Sequence, residues 1–202
     1  MTVGDAIVSS PEVTAAGTLQ VIFVCTGNRA RSPLAEALFR RRVAGEPVKC
    51  ASFGILDAVA RPALADAIAA GASRGLDLRS HRSRAIPPGG LRDADLVIGF
   101  EVAHIDAAID DGGADPSRAF MLLALPDLVA EASLPESGTG VARARSVIEA
   151  LDEQRASKGQ RPAEAILDPF RAPPQSFAET VRVIEAMTGL LATALFPSCS
   201  DE

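Results

Sequence analysis

The sequence predicts an α/β fold: a four-stranded parallel sheet flanked by helices on both faces, with a ligand-binding loop after the first strand. Three observations predict it. Four short apolar runs, Gln20–Cys25, Val48–Gly54, Asp95–Phe100 and Ala119–Leu125, are nearly continuous rather than alternating, as expected of strands buried on both faces. Helical patterns separate them, and strand-helix alternation implies right-handed crossovers. The chain of 202 residues is long enough for one domain with a full core.

Each element has its own signal. Residues 1–18, "MTVGDAIVSSPEVTAAGT", hold no Lys or Arg and no apolar core, so they read as a flexible tail rather than a signal peptide. The first helix is expected to open with Ser32 as N-cap and Pro33 at its first position. Leu34 with Leu38 and Ala35 with Phe39 then share one face. A second helix is expected from Pro62 to about Arg74, with Leu64 and Ile68 inward and Gly75 as its stop. A third carries Val102, Ile105 and Ile109. Residues 134–162 are polar and charged at both ends, and read as an insertion packed loosely on the domain. Its helix, Val141–Arg155, has only Val147, Ile148 and Leu151 as a strong apolar face. In the last helix Ser176 and Glu179 form a capping box ahead of Phe177, Val181, Ile184, Leu191 and Leu195. Residues 19–196 are thus expected to form a single domain, with 197–202 as a C-terminal tail.

Composition excludes several function classes. With 20 Lys and Arg against 26 Asp and Glu, the formal net charge is −6, which argues against a sequence-independent nucleic-acid binder. No segment approaches the roughly 18 uninterrupted apolar residues of a membrane span. Cys25, Cys50 and Cys199 make neither a disulfide framework nor a zinc spacing, and reduced thiols in the cytoplasm are the simplest expectation. A monomer is the default, since no heptad or apolar stripe calls for association. Abundant Ala and Arg hint at a GC-rich bacterial gene.

The stretch "VIFVCTGNRARSP" concentrates the chemistry. A strand ends at Cys25 and a helix begins near Ser32. The loop between them lies at the carboxyl end of a parallel strand, where open α/β sheets bind ligands. Loop amides and a helix N-terminus converge there on one concavity suited to an anion. Gly27 permits a tight turn and Asn28 tolerates a left-handed conformation. A helix N-terminus and guanidinium groups favour the thiolate form of a cysteine. Ser32 is placed to donate to it, and Arg31 to grip two oxygens of a tetrahedral oxyanion. Nucleophile, cradle and clamp together suit attack on a phosphate ester. The nucleotide loop G-x-x-x-x-G-K-[ST] has no match.

"VCTGNRARSPLAE" resembles the signature of the low-molecular-weight protein tyrosine phosphatases, a family that also includes thioredoxin-linked arsenate reductases. The resemblance implies Cys25 as nucleophile, Arg31 as the phosphate-binding arginine, and the backbone of Thr26, Gly27, Asn28, Arg29, Ala30 and Arg31 as the phosphate cradle, with Ser32 beside it. It implies a general acid in an Asp-Pro-aromatic motif, matched by Asp168-Pro169-Phe170, whose Phe170 offers an aromatic surface to a substrate ring. The competing Asp115-Pro116 sits in an ordinary turn, "DDGGADPS". "GLDLRSHRSRAI" resembles a stretch whose histidine helps hold the loop asparagine, so Asn28, Ser32, Ser52 and His81 form the implied supporting set. His104 reads as a partly exposed helix histidine. Arg82 and Arg84 read as a solvated face, while Arg29 projects from the loop rim towards substrate.

The sequence departs from the family in places. Ala30 stands where many members carry a second, protective cysteine. Ser52-Phe53-Gly54-Ile55 replaces Ser-Ala-Gly-Thr, and no Tyr follows Asp168-Pro169. The expected function is hydrolysis of phosphate monoesters, foremost protein phosphotyrosine, through a cysteinyl-phosphate, on a phosphorylated protein or a small phosphate monoester. No metal or cofactor is required, because Arg31 and the loop amides supply the electrostatics. Two alternatives remain: an arsenate reductase using the same loop, for which Cys50 and Cys199 lack the expected pairing, and a non-catalytic phosphoprotein-binding module.

Overall fold

A computed structural model describes residues 17–57, 60–158, 165–166 and 174–197. Four parallel strands, β1 (Leu19–Cys25), β2 (Val48–Gly54), β3 (Leu96–Gly99) and β4 (Ala119–Met121), form one sheet in the order β2-β1-β3-β4. β1 is central, and the order reverses beside it, so the carboxyl ends of β1, β2 and β3 frame one crevice. The helices are α1 (Arg31–Arg42), α2 (Ala65–Ala72), α3 (Val102–Asp110), α4 (Leu125–Glu131), α5 (Gly140–Lys158) and α6 (Pro174–Leu195). Among the described residues, no helix is long and apolar enough to cross a membrane.

The period of two along β1 separates the two faces. Leu19, Val21, Phe23 and Cys25 enter the larger core with α1, α4, α5 and α6. Ile22 and Val24 enter the smaller core with Val97, Ala108 and Ala119 under α3. Phe23 meets Phe39 of α1 edge-on, ring centres 5.7 Å apart, a favoured aromatic geometry. Cys25 therefore shares a face with α1, the helix that its own loop begins.

Several expectations are corrected. α5 is not loosely packed: Val141, Ala144, Val147, Ile148 and Leu151 form a buried stripe in the larger core. Ala144 extends the apolar face at a position where a small side chain lets the helix approach closely. Arg145 of α5 pairs with Asp95 at 2.8 Å, and Asp95 also accepts from the Gln20 N–H at 2.8 Å, which ties α5 to the amino end of the sheet. α1 begins at Arg31 with Ala30 as N-cap. Ser32 therefore lies inside the first turn, where its hydroxyl is engaged elsewhere, and Pro33 sits where its missing N–H costs little. α2 starts at Ala65 rather than Pro62, because residues around Pro62 pair with Arg82. The last run ends as a strand at Met121 and turns into helix before Pro126. α6 begins at Pro174, so Ser176 is inside the helix and is not its cap. Val102 on α3 points outward at 58% exposure.

Candidate active site

The loop Thr26–Ala30 joins β1 to α1. Among the described residues, the backbone N–H groups of Thr26 to Ala30 find no acceptor. Asn28 takes the left-handed conformation, with φ of 50°, and this turns the loop back on itself. The space over Gly27 is open, since a Cβ there would meet nothing within 4 Å. On the other side β2 closes tightly: a Cβ on Gly54 would lie 3.0 Å from the backbone of Thr26, Gly27 and Asn28. A glycine is needed there for the loop to seat on the strand.

The side chain of Asn28 is fully buried and fixes the polarity of a hydrogen-bond chain. Its amide nitrogen donates to Ser32 Oγ and Ser52 Oγ, each at 2.9 Å, and its oxygen accepts from the Arg84 N–H at 2.9 Å. The Ser52 hydroxyl donates to Glu36 Oε2 at 2.6 Å. Ser32 accepts from Asn28, so its single proton is free to point at Cys25 Sγ, 3.0 Å away, a closer partner than the Phe53 carbonyl at 3.3 Å. The network thus presents a donor to the sulfur. His81 Nε2 donates to the Asn28 carbonyl at 2.7 Å and holds the turn from outside.

Arg31 is 1% exposed. Its guanidinium donates to Glu101 Oε1, to the Ile166 carbonyl at 2.6 Å and to Thr26 Oγ1 at 2.9 Å, and it lies 5.8 Å from the Phe100 ring centre. A buried cation held by a carboxylate and two oxygens is pre-oriented, with little side-chain freedom left to lose on gripping an anion. His104 is also 1% exposed, which corrects its reading as a partly exposed helix residue. Its Nδ1 accepts from the N–H groups of Phe100 and Glu101, at 3.2 and 3.1 Å. The remaining ring proton is therefore on Nε2, which donates to Thr26 Oγ1 at 3.1 Å.

The structure brings together Cys25, Thr26, Gly27, Asn28, Arg31, Ser32, Ser52 and His81. Ala30 turns its side chain into a small core with Leu34 and Ala63. Arg29 is half-buried at the loop's edge and donates from Nε to the Pro62 carbonyl at 2.8 Å. Asp168 and Phe170 lie outside the described residues, as does Cys199. Asp115 caps the turn before β4 and accepts from Ser117 N and Oγ at 2.9 and 2.8 Å. Those bonds hold its carboxyl below the usual range, and it sits at the amino end of the sheet, opposite Cys25. Burial pushes the half-buried Cys50 thiol up to about 12.

Sequence reasoning missed Glu36, Glu101 and His104. Signals for them existed. Glu36 lies one helical turn beyond Ser32, and Glu101 and His104 sit three apart just past β3, the strand beside β1.

A model of the low molecular weight phosphotyrosine protein phosphatase family matches residues 20–154. The Escherichia coli K12 low molecular weight protein-tyrosine-phosphatase Etp is 39% identical over 85 residues, which is 42% of this chain and 56% of that protein. A Streptomyces coelicolor low molecular weight protein-tyrosine-phosphatase is 35% identical over 97 residues, 45% of this chain and 57% of that protein. The chain thus spans little more than half the length of such relatives. Among solved structures, a Bacillus subtilis YwlE mutant superposes with a TM-score of 0.63 at 24% identity, covering 87% of this chain and 97% of that one. Vibrio vulnificus Wzb in complex with benzylphosphonate gives 0.63 at 18% identity, covering 88% and 99%. The structural likeness carries the fold, and the match over the loop, β1 to β4 and most of α5 carries the lineage: the chain belongs to the low molecular weight phosphotyrosine protein phosphatase family.

Proposed function

We propose that the protein hydrolyses phosphate monoesters, foremost phosphotyrosine in proteins, through a cysteinyl-phosphate. The carrying observation is the Cys25 sulfur at the end of β1, 3.0 Å from a Ser32 hydroxyl whose proton is directed to it. The thiolate attacks phosphorus, the phosphorus–oxygen ester bond breaks, and the leaving oxygen takes a proton from Asp168. Water then attacks the cysteinyl-phosphate, giving its proton to Asp168 and returning the thiolate with inorganic phosphate. Arg31 and the loop amides hold the three remaining phosphate oxygens and their developing charge. The described chain supports the assignment of Asp168 indirectly. The Ile166 carbonyl is bound to Arg31, and two residues of chain reach at most about 7 Å.

An aryl ester suits the rim. Among the described residues, the exposed large apolar side chains are Leu56, at 53%, and Val102, at 58%. Both flank the loop: the Leu56 N–H donates to the Thr26 carbonyl at 3.0 Å, and Val102 follows Glu101. The structure disfavours Cys50 as a relay thiol for arsenate reduction. Cys50 pairs with Val21 while Cys25 pairs with Gly54, an offset of four residues or about 13 Å along the sheet. A disulfide requires Cα atoms within about 7 Å.

The test is hydrolysis of p-nitrophenyl phosphate with and without vanadate, across pH, by wild type, Cys25→Ser and Asp168→Ala. Wild type should turn over and be inhibited, Cys25→Ser should be inactive, and Asp168→Ala should be slower by about 10²–10⁴-fold. Full activity in Cys25→Ser refutes the mechanism. Since a structural neighbour is named YwlE arginine phosphatase, phosphoarginine is the comparison substrate that decides between a phosphate ester and a phosphorus–nitrogen bond.

A further inference from the structure

We infer that the site selects phosphorylated protein segments with acidic residues beside the phosphorylated one, through a lip formed by Arg29, Arg61, Arg82 and Arg84. The inference rests on the phosphatase reading of the Cys25 loop and names the substrate class of that site.

The lip is wired into the loop by backbone bonds. Residues 60–64 and 81–86 run side by side: the Ala60 N–H donates to the Ser83 carbonyl and the Ser83 N–H to the Arg61 carbonyl, each at 2.8 Å, and Pro62 bridges Arg82. Both segments then grip the cradle. The Leu64 N–H donates to the Arg29 carbonyl at 2.8 Å, and Asn28 is held by His81 and by the Arg84 N–H. Arginines on these segments therefore keep a fixed relation to a phosphate bound over Gly27.

Their charge is uncompensated. Among the described residues, none of the four makes an ion pair with a carboxylate. Elsewhere many arginines are paired, Arg31 with Glu101, Arg40 with Glu36, Arg74 with Glu185, Arg79 with Asp77, Arg145 with Asp95 and Arg155 with Asp152, and those without a carboxylate among the described residues, such as Arg92 and Arg182, are scattered along the chain rather than gathered on joined segments. In a chain of net charge −6, four unpaired guanidinium groups on one lip are a local reversal of sign. Neutral groups steady three of them. Arg29 donates to the Pro62 carbonyl, Arg82 to the carbonyls of Arg79 and His81 at 3.0 and 2.7 Å, and Arg84 to the Ser52 carbonyl at 3.2 Å while lying 4.9 Å from the Phe53 ring centre. Those partners restrict the side chains without neutralising them, so less freedom is lost when a carboxylate binds. Arg61, Arg82 and Arg84 are exposed and Arg29 is half-buried.

The chemistry favours an acidic peptide over a nucleic acid. The chain has no Trp and no Tyr for base stacking, and the basic surface is one lip of a single-phosphate cradle. With the phosphate over Gly27, the residues two or three positions away in an extended substrate reach about 7–10 Å, the scale of an arginine side chain on the lip.

The test uses the full chain carrying Cys25→Ser, so that peptides bind without turnover. Three phosphotyrosyl peptides differ only in flanks of Glu, Gln or Lys, and their affinities are measured at low salt and in about 0.5 M salt. The Glu peptide should bind about tenfold more tightly than the Gln peptide, with the Lys peptide weaker still, and the preference should shrink to about twofold in high salt or in Cys25→Ser carrying Arg61→Gln and Arg82→Gln. Equal affinities for the three peptides overturn the inference, as does an acidic preference that both substitutions leave intact. The Lys peptide keeps the test independent of the variants' folding. Wild-type turnover of p-nitrophenyl phosphate separates the two claims. Turnover without acidic preference sinks the lip alone, and acidic preference without turnover sinks the phosphatase reading alone.

Discussion

Replacing Asn28 by Ala strikes the residue on which the loop's hydrogen bonds converge. Two costs can be worked out from its geometry. Its φ of 50° is a left-handed conformation that costs an alanine about 1 kcal/mol. The Arg84 N–H, now bonded at 2.9 Å, loses its acceptor in a partly buried place, which costs about 1–3 kcal/mol. Ser32 and Ser52 keep Cys25 and Glu36 as partners, so they add little. The expected loss of stability is about 2–4 kcal/mol. Asn28→Gly removes the conformational cost and keeps the orphaned N–H, so it should be less destabilised than Asn28→Ala by about 1 kcal/mol. Urea unfolding followed by far-ultraviolet circular dichroism is the assay, since the chain has no Trp or Tyr to report by fluorescence. A loss below about 0.5 kcal/mol for Asn28→Ala, within the range of an ordinary surface substitution, would refute the claim that this side chain holds the loop.

Glu101→Gln removes the carboxylate facing Arg31, which is 1% exposed. Because Glu101 is itself one-third exposed, the cost should be about 1–3 kcal/mol, below that of a fully buried pair. Added phosphate should then raise the melting temperature of the variant more than that of wild type, by supplying the missing negative charge. His104→Ala strips the acceptor from the Phe100 and Glu101 N–H groups and should cost about 1–3 kcal/mol in urea unfolding. His104→Gln, with a capping-box residue at that helix position, should recover part of it. Cys50, pushed up to about 12 by burial, should escape alkylation by iodoacetamide at pH 8 in the native protein and react once it is unfolded, as read by mass spectrometry. Its folded value lies above the unfolded 9.0, so its contribution to stability is complete below about pH 9 and is lost as pH rises towards 12. Urea midpoints should fall over that window, and Cys50→Ala should flatten the fall.

Most of the sheet was legible because burial on both faces leaves continuous apolar runs, and β2 even has the expected bounds, Val48–Gly54. The errors cluster where a local signal lost to a tertiary one. Ser32-Pro33 has the pattern of a helix cap, but the Ser32 hydroxyl is taken by Asn28 and Cys25, so the helix starts earlier with no side-chain cap. Pro62 looks like a helix start, but its segment pairs with Arg82 instead. The α5 segment reads as loosely packed because it is polar and charged at both ends. Its stripe is nonetheless complete, and Arg145 spends its charge on Asp95 rather than on solvent. In the site, the residues on the loop were legible from spacing. Glu101 and His104 were not, since they act on the loop from beyond β3 and only the strand order places them beside it, and Glu36, though one turn beyond Ser32, acts through Ser52 of β2.

Two carboxylates beside an anion cradle look like a contradiction, because each would repel the phosphate it helps to bind. The pairing resolves it. Glu36 is neutralised by Arg40 on its outer side and accepts from Ser52 on its inner side, so what reaches the loop is a hydroxyl whose proton has been drawn away, ready to accept from Asn28. Glu101 is neutralised by Arg31 itself and accepts no proton from the loop. Its effect is to hold the guanidinium in place. Glu101 thus stands behind one side chain, Arg31, and Glu36 behind two, Ser52 and Asn28, and each turns a donor of the loop into a fixed orientation. The same logic explains the lip arginines. An arginine already paired with a carboxylate is part of the frame, whereas Arg61 and Arg82, the latter donating only to the Arg79 and His81 carbonyls and neither meeting a carboxylate among the described residues, keep their charge for whatever docks. The scaffold therefore uses these two acids to order the cradle and, among the described residues, leaves the lip arginines without a carboxylate beside the cradle.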